Sequence, residues 1–373
     1  MKTLAVIGAS YLQRPLVEKA KEMGLYVICF AWREGAVCAD LADEFYPISI
    51  VEKEQILAVC QEKRIDGICT IASDVAAPTV AYVAEKMRLV GNSYESAVRA
   101  NNKFLMRNAF AAASVPCPQY RMVGSVHELE ECVAVLQFPL IVKPSDRSGS
   151  LGVSKVENLA TLSDAVEKAL SCSFKHQAMV EEFIEGREIS VEFISYKGVH
   201  YPLTITDKVT TGAPYFVELE HHQPSTLTTG QYSEIYDITR KALDALGLTD
   251  GASHSEYKIT SEGRIAIMEI GGRMGGDFIG SDLVQLSTGY DFVKGVIEVA
   301  LGEFDVPVLT EHKCSGVYFL CKETEHLLLY FKEPSYNNAI IKKEITDFDL
   351  RLITCSADRS GYILYQSDSK ISL

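Results

Sequence analysis

The chain has 373 residues, more than one ordinary domain, which predicts two or three folding units. Hydrophobic residues make up 47% and charged residues 23%, proportions that are typical of a globular protein and exclude a disordered or collagenous chain. Fifty Asp and Glu against 36 Lys and Arg give a net charge of −14, which disfavours binding to nucleic acid phosphates. Local cations or a metal must therefore hold any anionic substrate.

The cysteines and the apolar stretches of the sequence indicate the cellular compartment of the protein. The ten cysteines include no C-x-x-C pair, so neither a zinc site nor a disulfide framework is predicted. The apolar run at the N-terminus is too short for a signal peptide core, and no apolar stretch approaches the ~18 residues that span a bilayer. We expect a cytoplasmic protein without a membrane partner.

The N-terminal part alternates apolar strand patterns with helical patterns, which predicts a parallel sheet that binds ligands at the carboxyl ends of its strands. The turn Gly8-Ala-Ser10 is either an anion-binding helix start or a plain turn, because the G-x-G-x-x-G fingerprint is absent. Ser73-Asp74 is either a ligand contact or a helix N-cap. Strands are predicted at 3–7, 26–30 and 67–71, and helices at 15–23, 52–63 and 76–87.

Units that mix helices and strands are predicted downstream. A helical pattern over 101–113 ends at Pro116 and Pro118, a pair that predicts a hinge. The tail beyond residue 304 alternates apolar and polar residues, which predicts a β-rich appendage. Between them, helices are predicted at 126–136, 161–170 and 231–246, and strands at 139–143, 178–182, 188–205, 253–259 and 264–270.

Two segments have the chemistry of a nucleotide site. Lys143 ends a predicted strand and enters a Ser- and Gly-rich loop, whose backbone N–H groups suit phosphate oxygens; a flexible surface turn is the alternative. In Glu181–Glu188, an apolar strand breaks into an acidic stretch. Backbone groups in such a break suit an adenine edge, and a carboxylate seven residues later suits ribose hydroxyls. A solvated acidic turn is the alternative here.

Glu256 and Glu269 lie on adjoining predicted strands, so a hairpin would place the two carboxylates side by side. Two like charges so close are costly unless a cation bridges them, and carboxylates shared with substrate phosphates are ligands that Mg²⁺ uses. Two exposed strand residues are the alternative. Glycines on either side of Arg273 then allow a close approach of the backbone to a ligand, while the guanidinium offers a planar fork to phosphate or carboxylate.

Taken in order, these motifs resemble the ATP-grasp superfamily, carboxylate–amine ligase type. The matching segments are Lys103, Val142-Lys143-Pro144 with its loop, Glu181–Glu188 and Glu269–Arg273. The resemblance implies a fold of α/β and α+β units: an N-terminal Rossmann-like domain, a mobile α+β lid and a C-terminal α+β metal-binding domain. The implied boundaries are 1–95 for the first domain, 96–187 for a linker helix and the lid, 188–303 for the catalytic unit and 304–373 for the appendage.

The resemblance also implies ligands: ATP, and Mg²⁺ or Mn²⁺ held by Glu256 and Glu269. Arg273 would bind the transferred phosphate or an acyl phosphate, and together with Lys143 it would be catalytic. One departure is Gly271, where the family commonly has Asn; either water replaces that amide or metal binding is weaker. The implied nucleotide contacts are Lys103 and Lys143 on phosphates, Ser148, Gly149 and Ser150 in the covering loop, Glu181, Glu182, Phe183 and Ile184 around adenine, and Glu188 on ribose.

The segments Asp207–Ser225 and Gly271–Asp277 further resemble bacterial L-amino-acid ligases. That resemblance implies that Glu218 and His222, together with Arg273, Gly275 and Gly276, face amino-acid substrates. His221 and His222 as loop histidines at a domain seam are an equal alternative.

We therefore expect an ATP- and Mg²⁺-dependent ligase that activates a small carboxylate, such as an amino acid, as an acyl phosphate and joins it to an amine. Its partners would be these small molecules and, in a homodimer, a second copy; the appendage would close the site or form the dimer seam. The alternatives are a bicarbonate-activating enzyme of the biotin carboxylase type and a nucleotide-binding protein without catalysis. ADP release stimulated by amino acids, or by bicarbonate with biotin, discriminates among the three.

Overall fold

A computed structural model describes residues 1–147, 151–213, 215–332 and 338–373. The N-terminal part is a parallel four-stranded sheet of order β3-β2-β1-β4 with helices on both faces. Its inner strands are almost continuously apolar because both faces are covered. The elements are β1 Thr3–Ile7, α1 Arg14–Glu22, β2 Tyr26–Phe30, β3 Glu44–Tyr46, α2 Lys53–Lys63, β4 Gly67–Cys69 and α3 Ala77–Met87.

Two helices connect this sheet to an antiparallel sheet of order β5-β8-β6-β7. The helix predicted over 101–113 matches the second of these helices, which begins after Asn102, a residue with an extended backbone whose side chain accepts the N–H groups of Phe104 and Leu105. The sequence did not predict the first helix before it. The elements are α4 Tyr94–Asn101, α5 Lys103–Ala112, β5 Tyr120–Val123, α6 Leu129–Val133, β6 Leu140–Pro144, β7 Ser154–Val156, α7 Leu162–Cys172 and β8 Ala178–Glu182.

The rest of the chain builds one antiparallel eight-stranded sheet, of order β13-β12-β9-β10-β11-β14-β16-β15. The strands of the C-terminal tail thus continue the sheet that carries Glu256 and Glu269; the division into four domains stays a prediction. The elements are β9 Arg187–Tyr196, β10 Val199–Thr210, β11 Glu218–Gln223, α8 Thr229–Leu246, β12 Gly251–Ile259, β13 Ile265–Gly271, α9 Val284–Thr288, α10 Phe292–Leu301, β14 Cys314–Leu320, α11 Leu328–Lys332, β15 Ile340–Ile345 and β16 Gly361–Ser367.

Helices pack on both faces of the large sheet and fix its position relative to the N-terminal sheet. Alternate residues of β9 point to opposite faces, so Phe193 packs with α8 and Ile194 with α10. The same apolar cluster that contains α10 includes buried residues of β1, β2 and α1. This packing brings the carboxyl end of β4 next to β13. Within the described ranges, no helix has the length and apolar character needed to cross a membrane.

Candidate active site

A cleft with an empty volume of about 930 Å³ lies between the large sheet, the β5–β8 sheet and the loop after β4. Its walls carry both positive and negative side chains, and many of them are residues that the sequence predicts to be functional. The predicted residues that line it are Lys103, Lys143, Glu188, Glu218, Glu256, Glu269 and Arg273.

Glu256 and Glu269 are directly opposite each other on β12 and β13. Carboxylates so placed repel each other, and each is neutralised by a lysine. Lys208 Nζ lies 2.8 Å from Glu256 Oε1, and Lys103 Nζ lies 2.8 Å from both carboxylate oxygens of Glu269. The positive charge of Lys208, acting against burial, holds the pKa of Glu256 well below its usual range. Glu256 is therefore ionised at neutral pH.

This pair of carboxylates suits a hard divalent cation. The described residues contain no group of three or more His, Cys, Asp and Glu that could hold a metal ion without other ligands. Mg²⁺ commonly uses one or two protein carboxylates and completes its shell with water and substrate phosphates. The donor set therefore fits Mg²⁺ or Mn²⁺ held together with a phosphorylated ligand.

The cleft also explains the glycine at position 271. A Cβ atom there would lie 2.6 Å from Asp74 Oδ1 and 3.1 Å from Arg273 Cζ. Asp74 Oδ2 accepts a hydrogen bond from Arg273 Nη2 at 2.7 Å. Burial opposes the ionisation of Asp74, but the adjacent Arg273 lowers its pKa. The space of a side chain at 271 is thus occupied by an ion pair between the N-terminal sheet and the glycine-rich segment.

The surroundings of Asp74 and Ser10 bear on two questions left open by the sequence: whether Asp74 caps a helix, and whether the turn after β1 is a plain turn. Helix α3 begins after Ala76 and has no side-chain cap, so Asp74 is not an N-cap; it lies at the carboxyl edge of the sheet, facing the cleft. The Ser10 hydroxyl and backbone N–H donate to the side chain of Gln13, which itself donates to the Ile71 carbonyl. The turn after β1 therefore satisfies its own polar groups.

The predicted nucleotide residues lie mainly on β6 and β8. Lys143 and Arg107 both bond the carboxylate of Glu181, whose side chain is almost completely buried. Burial, reinforced by Arg107 and Lys103, lowers the pKa of Lys143 despite Glu181. Lys143 is thus a largely buried cation in the wall of the cleft.

Other predicted nucleotide contacts lie nearby. Glu182 pairs with Arg264, the Phe183 N–H donates to the Pro139 carbonyl at 3.1 Å, and Ile184 is buried. Glu188 lies in the cleft wall, where Lys258 pairs with it at 2.9 Å. The predicted loop residues Ser148, Gly149 and Ser150 lie outside the described residues.

The structure does not place His222 in the cleft. On β10 and β11, Lys208 is the cross-strand partner of His221, so these two side chains share the face of the sheet that Lys208 presents to Glu256. His222 points to the opposite face, where its ring nitrogens hydrogen-bond with Glu220 at 2.8 Å and with the Tyr365 hydroxyl at 2.9 Å. Because side chains alternate along a strand, His221 and His222 lie on opposite faces of the sheet, and neither is among the described residues that line the cleft.

Sequence reasoning missed a buried pair below Glu256. Glu192 and His254 are cross-strand partners on β9 and β12, and the Glu192 carboxylate bonds the His254 ring. Burial opposes protonation of His254, but Glu192 raises its pKa to about 9. Glu192 also accepts the Gly275 N–H at 3.2 Å, so it ties the glycine-rich segment to the sheet. The signal in the sequence was a set of polar residues alternating within otherwise buried strands.

Comparisons with known proteins agree with this geometry. Residues 136–282 match the model of the ATP-grasp domain. The chain is 28% identical over 303 residues to the uncharacterized protein y4rH of Sinorhizobium fredii, covering 78% of this chain and 61% of that protein. It is 27% identical over 245 residues to alanine--anticapsin ligase of Bacillus subtilis, covering 60% of this chain and 51% of the ligase. The chain thus spans about half to three fifths of these relatives.

Solved structures extend the similarity to nearly the whole chain. The L-amino acid ligase of Bacillus licheniformis has a TM-score of 0.83 at 23% identity, covering 99% of this chain and 94% of that one. The N5-carboxyaminoimidazole synthetase of Staphylococcus aureus, complexed with ADP, has a TM-score of 0.80 at 16% identity with the same coverage. At such identities the similarity concerns the fold. The predicted ATP-grasp architecture is confirmed.

Proposed function

We propose that this chain, which carries an ATP-grasp domain, is an ATP-dependent ligase that activates a small carboxylate and joins it to an amine. The observation that carries the proposal is the opposition of Glu256 and Glu269 in a cleft that also holds Lys103, Lys143 and Arg273. Two relatives named as ligases of amino acids or their analogues support the substrate class, a small acid such as an amino acid.

Glu256 and Glu269 would hold Mg²⁺ or Mn²⁺ at the phosphates of ATP. When bound, the ion supplies positive charge that neutralises the phosphate oxygens. The lysines that now pair with these carboxylates are then available as cations for the phosphates. Lys143 reaches the cleft from β6, and Glu188, which lines the cleft, would bind the ribose. Glu182, Phe183 and Ile184 would line the adenine with their backbone.

The proposed reaction has two steps. A carboxylate oxygen of the acid attacks the γ-phosphorus, the bond to the bridging oxygen breaks, and ADP leaves with that electron pair. The amine nitrogen then attacks the acyl carbon, the bond from carbon to the phosphate oxygen breaks, and inorganic phosphate leaves while the nitrogen loses a proton. Lys143 and Arg273 are placed in advance for the charge that spreads over the transferring oxygens, and this placement supplies most of the catalysis.

The substrates would bind on the side of the cleft formed by Glu218 and the glycine-rich segment. Glu218 is suited to an ammonium or amino group, and Arg273 to the carboxylate or the acyl phosphate. Gly275 and Gly276 have little free space above them: a Cβ on Gly275 would lie 2.8 Å from His254 Nδ1, and one on Gly276 would lie 3.3 Å from Ala72 Cβ. The backbone of this segment therefore packs closely against His254 of β12 and against Ala72 in the loop after β4.

Hydroxylamine trapping tests the proposal. The purified chain is incubated with ATP, Mg²⁺ and single acids from an amino-acid panel, and both ADP and acyl hydroxamate are measured. We expect ADP and hydroxamate in equal amounts with the correct acid, because hydroxylamine takes the place of the amine. ADP release that requires bicarbonate and biotin would instead indicate carboxylation. Nucleotide binding without turnover under every condition would contradict the proposal.

A further inference from the structure

Arg359, from the segment between β15 and β16, reaches the substrate side of the cleft. Its side chain is only 8% exposed. Nη1 donates to Asp277 Oδ2 at 2.7 Å, and Nη2 donates to the Glu218 carbonyl at 3.0 Å and to Glu218 Oε2 at 3.1 Å. The guanidinium also lies over the Phe319 ring, 3.8 Å from its centroid. The C-terminal tail thus places a buried cation beside a carboxylate of the cleft wall.

The guanidinium retains an unused donor. Its Nε atom is buried and has no hydrogen-bond partner among the described residues. Buried donors in native structures nearly always have a partner, so an orphaned one calls for an explanation. Asp277 and Glu218 engage the two terminal nitrogens and fix the plane of the group, so Nε is the guanidinium nitrogen that has no partner.

The charges around Glu218 alternate along the cleft. Glu218 lies between Arg359 and Lys208, since its Oε1 is 3.3 Å from Lys208 Nζ and its Oε2 is 3.1 Å from Arg359. Lys208 in turn pairs with Glu256. A cation and a carboxylate side by side are complementary to a zwitterion, whose carboxylate faces the cation and whose amino group faces the acid. In this arrangement the amino group points toward the Glu256–Glu269 end.

We propose that Arg359 binds the carboxylate of the substrate that supplies the attacking amine, and that this substrate is an α-amino acid. Glu218 accepts a hydrogen bond from its amino group, and Asp277 positions the guanidinium. This inference rests on the proposed ligase function and deepens it by naming the second substrate class. It also assigns a role to the C-terminal tail, which supplies a specificity-determining residue.

The test compares two nucleophiles that differ by a carboxylate. With an acid that is active in the hydroxylamine assay, the acceptors are L-alanine and ethylamine, its decarboxylated counterpart. We expect Arg359→Ala to raise KM for L-alanine at least about tenfold, since a charge-assisted hydrogen bond is lost. The KM for ethylamine and the rate of hydroxamate formation should stay within about twofold of the parent values. The KM of Arg359→Lys for L-alanine should lie between those of the parent and of Arg359→Ala, because lysine keeps the charge but lacks the planar pair of donors.

Arg351→Ala is the matched control, because Arg351 lies in the same segment but is exposed and pairs with the nearby Asp347. Arg359→Gln, which can still donate to the Glu218 carbonyl, replaces the alanine variant if that variant unfolds. Equal losses of activity with hydroxylamine, ethylamine and L-alanine would overturn the inference and indicate that Arg359 has a structural role. An unchanged KM for L-alanine would overturn it as well. Absence of hydroxamate with every acid in the parent protein would instead overturn the proposed function.

Discussion

Asp74 occupies the space that a side chain at Gly271 would need: a Cβ atom there would lie 2.6 Å from Asp74 Oδ1. Atoms cannot approach that closely, so a substitution at 271 must displace the carboxylate from Arg273. The ion pair joins the N-terminal sheet to the glycine-rich segment, and Arg273 Nη2 depends on it for its 2.7 Å hydrogen bond. Gly271 is therefore a requirement of this arrangement and does not indicate a decayed site.

The first prediction concerns Gly271→Ala. We expect kcat to fall about 100-fold, because a displacement of about 1 Å in a catalytic group has effects of that size. The measurement is steady-state ADP release with the acid found by hydroxylamine trapping. Gly272→Ala is the matched control, since its Cβ would meet only the flexible Leu248 side chain at 3.2 Å. If Gly271→Ala combined with Asp74→Ala is no more active than the product of the two single losses predicts, the two residues are not coupled.

The second prediction concerns Glu269→Gln. Removing one of the two opposed carboxylates should lower kcat by about 10³, because the metal that stabilises the transferring phosphoryl group is lost. Affinity for adenosine should change little, since the proposed role of Glu269 is to bind the metal and not the base. Titration with Mn²⁺, followed by electron paramagnetic resonance, gives a readout independent of turnover. Glu262→Gln, in the exposed turn between β12 and β13, is the control. Unchanged Mn²⁺ affinity in Glu269→Gln would contradict the metal assignment.

The proximity of Glu256 and Glu269 was predictable from sequence because both residues belong to one hairpin with a short turn. Their direct opposition also depends on a register shift between Glu256 and Tyr257, which the sequence did not predict. The order of the ATP-grasp motifs likewise predicted the cleft. The first of these inferences needed only two neighbouring segments, and the second needed only the order of the motifs along the chain.

His221 and Arg359 show what the sequence could not provide. Two adjacent histidines differ only in the face they occupy, and that face depends on a register with β10 that shifts between Val209 and Thr210. Such a bulge has no clear signature in one sequence. Arg359 meets Glu218 and Asp277 only because β14 and β16 extend the large sheet, a long-range pairing. Side chains whose roles depend on such pairing are found from the structure.

The third prediction concerns the buried carboxylate of Glu192. Glu192→Ala should destabilise the fold by about 3 kcal/mol, because it removes the carboxylate that stabilises protonated His254 in a buried site and the acceptor of the Gly275 N–H. Glu192→Gln should cost less, since an amide oxygen can still accept from His254 or from the Gly275 N–H. Urea unfolding at pH 7 measures both changes. A loss of activity without any loss of stability in Glu192→Ala would contradict this structural role.

The fourth prediction concerns Arg273→Lys, which conserves the charge and removes the fork. In the present geometry Nη2 donates to Asp74 and Nη1 to the Met274 carbonyl at 3.3 Å, so the guanidinium is held at two points. A lysine ammonium can satisfy Asp74 but cannot at the same time present a planar pair of donors to a phosphate. We expect kcat to fall about 100-fold while the KM for ATP changes little, because the interaction is made with transferring oxygens. Thermal unfolding should show a folded protein. Turnover equal to that of the parent would contradict a role of Arg273 in the reaction. Its role would then be structural, as the partner of Asp74.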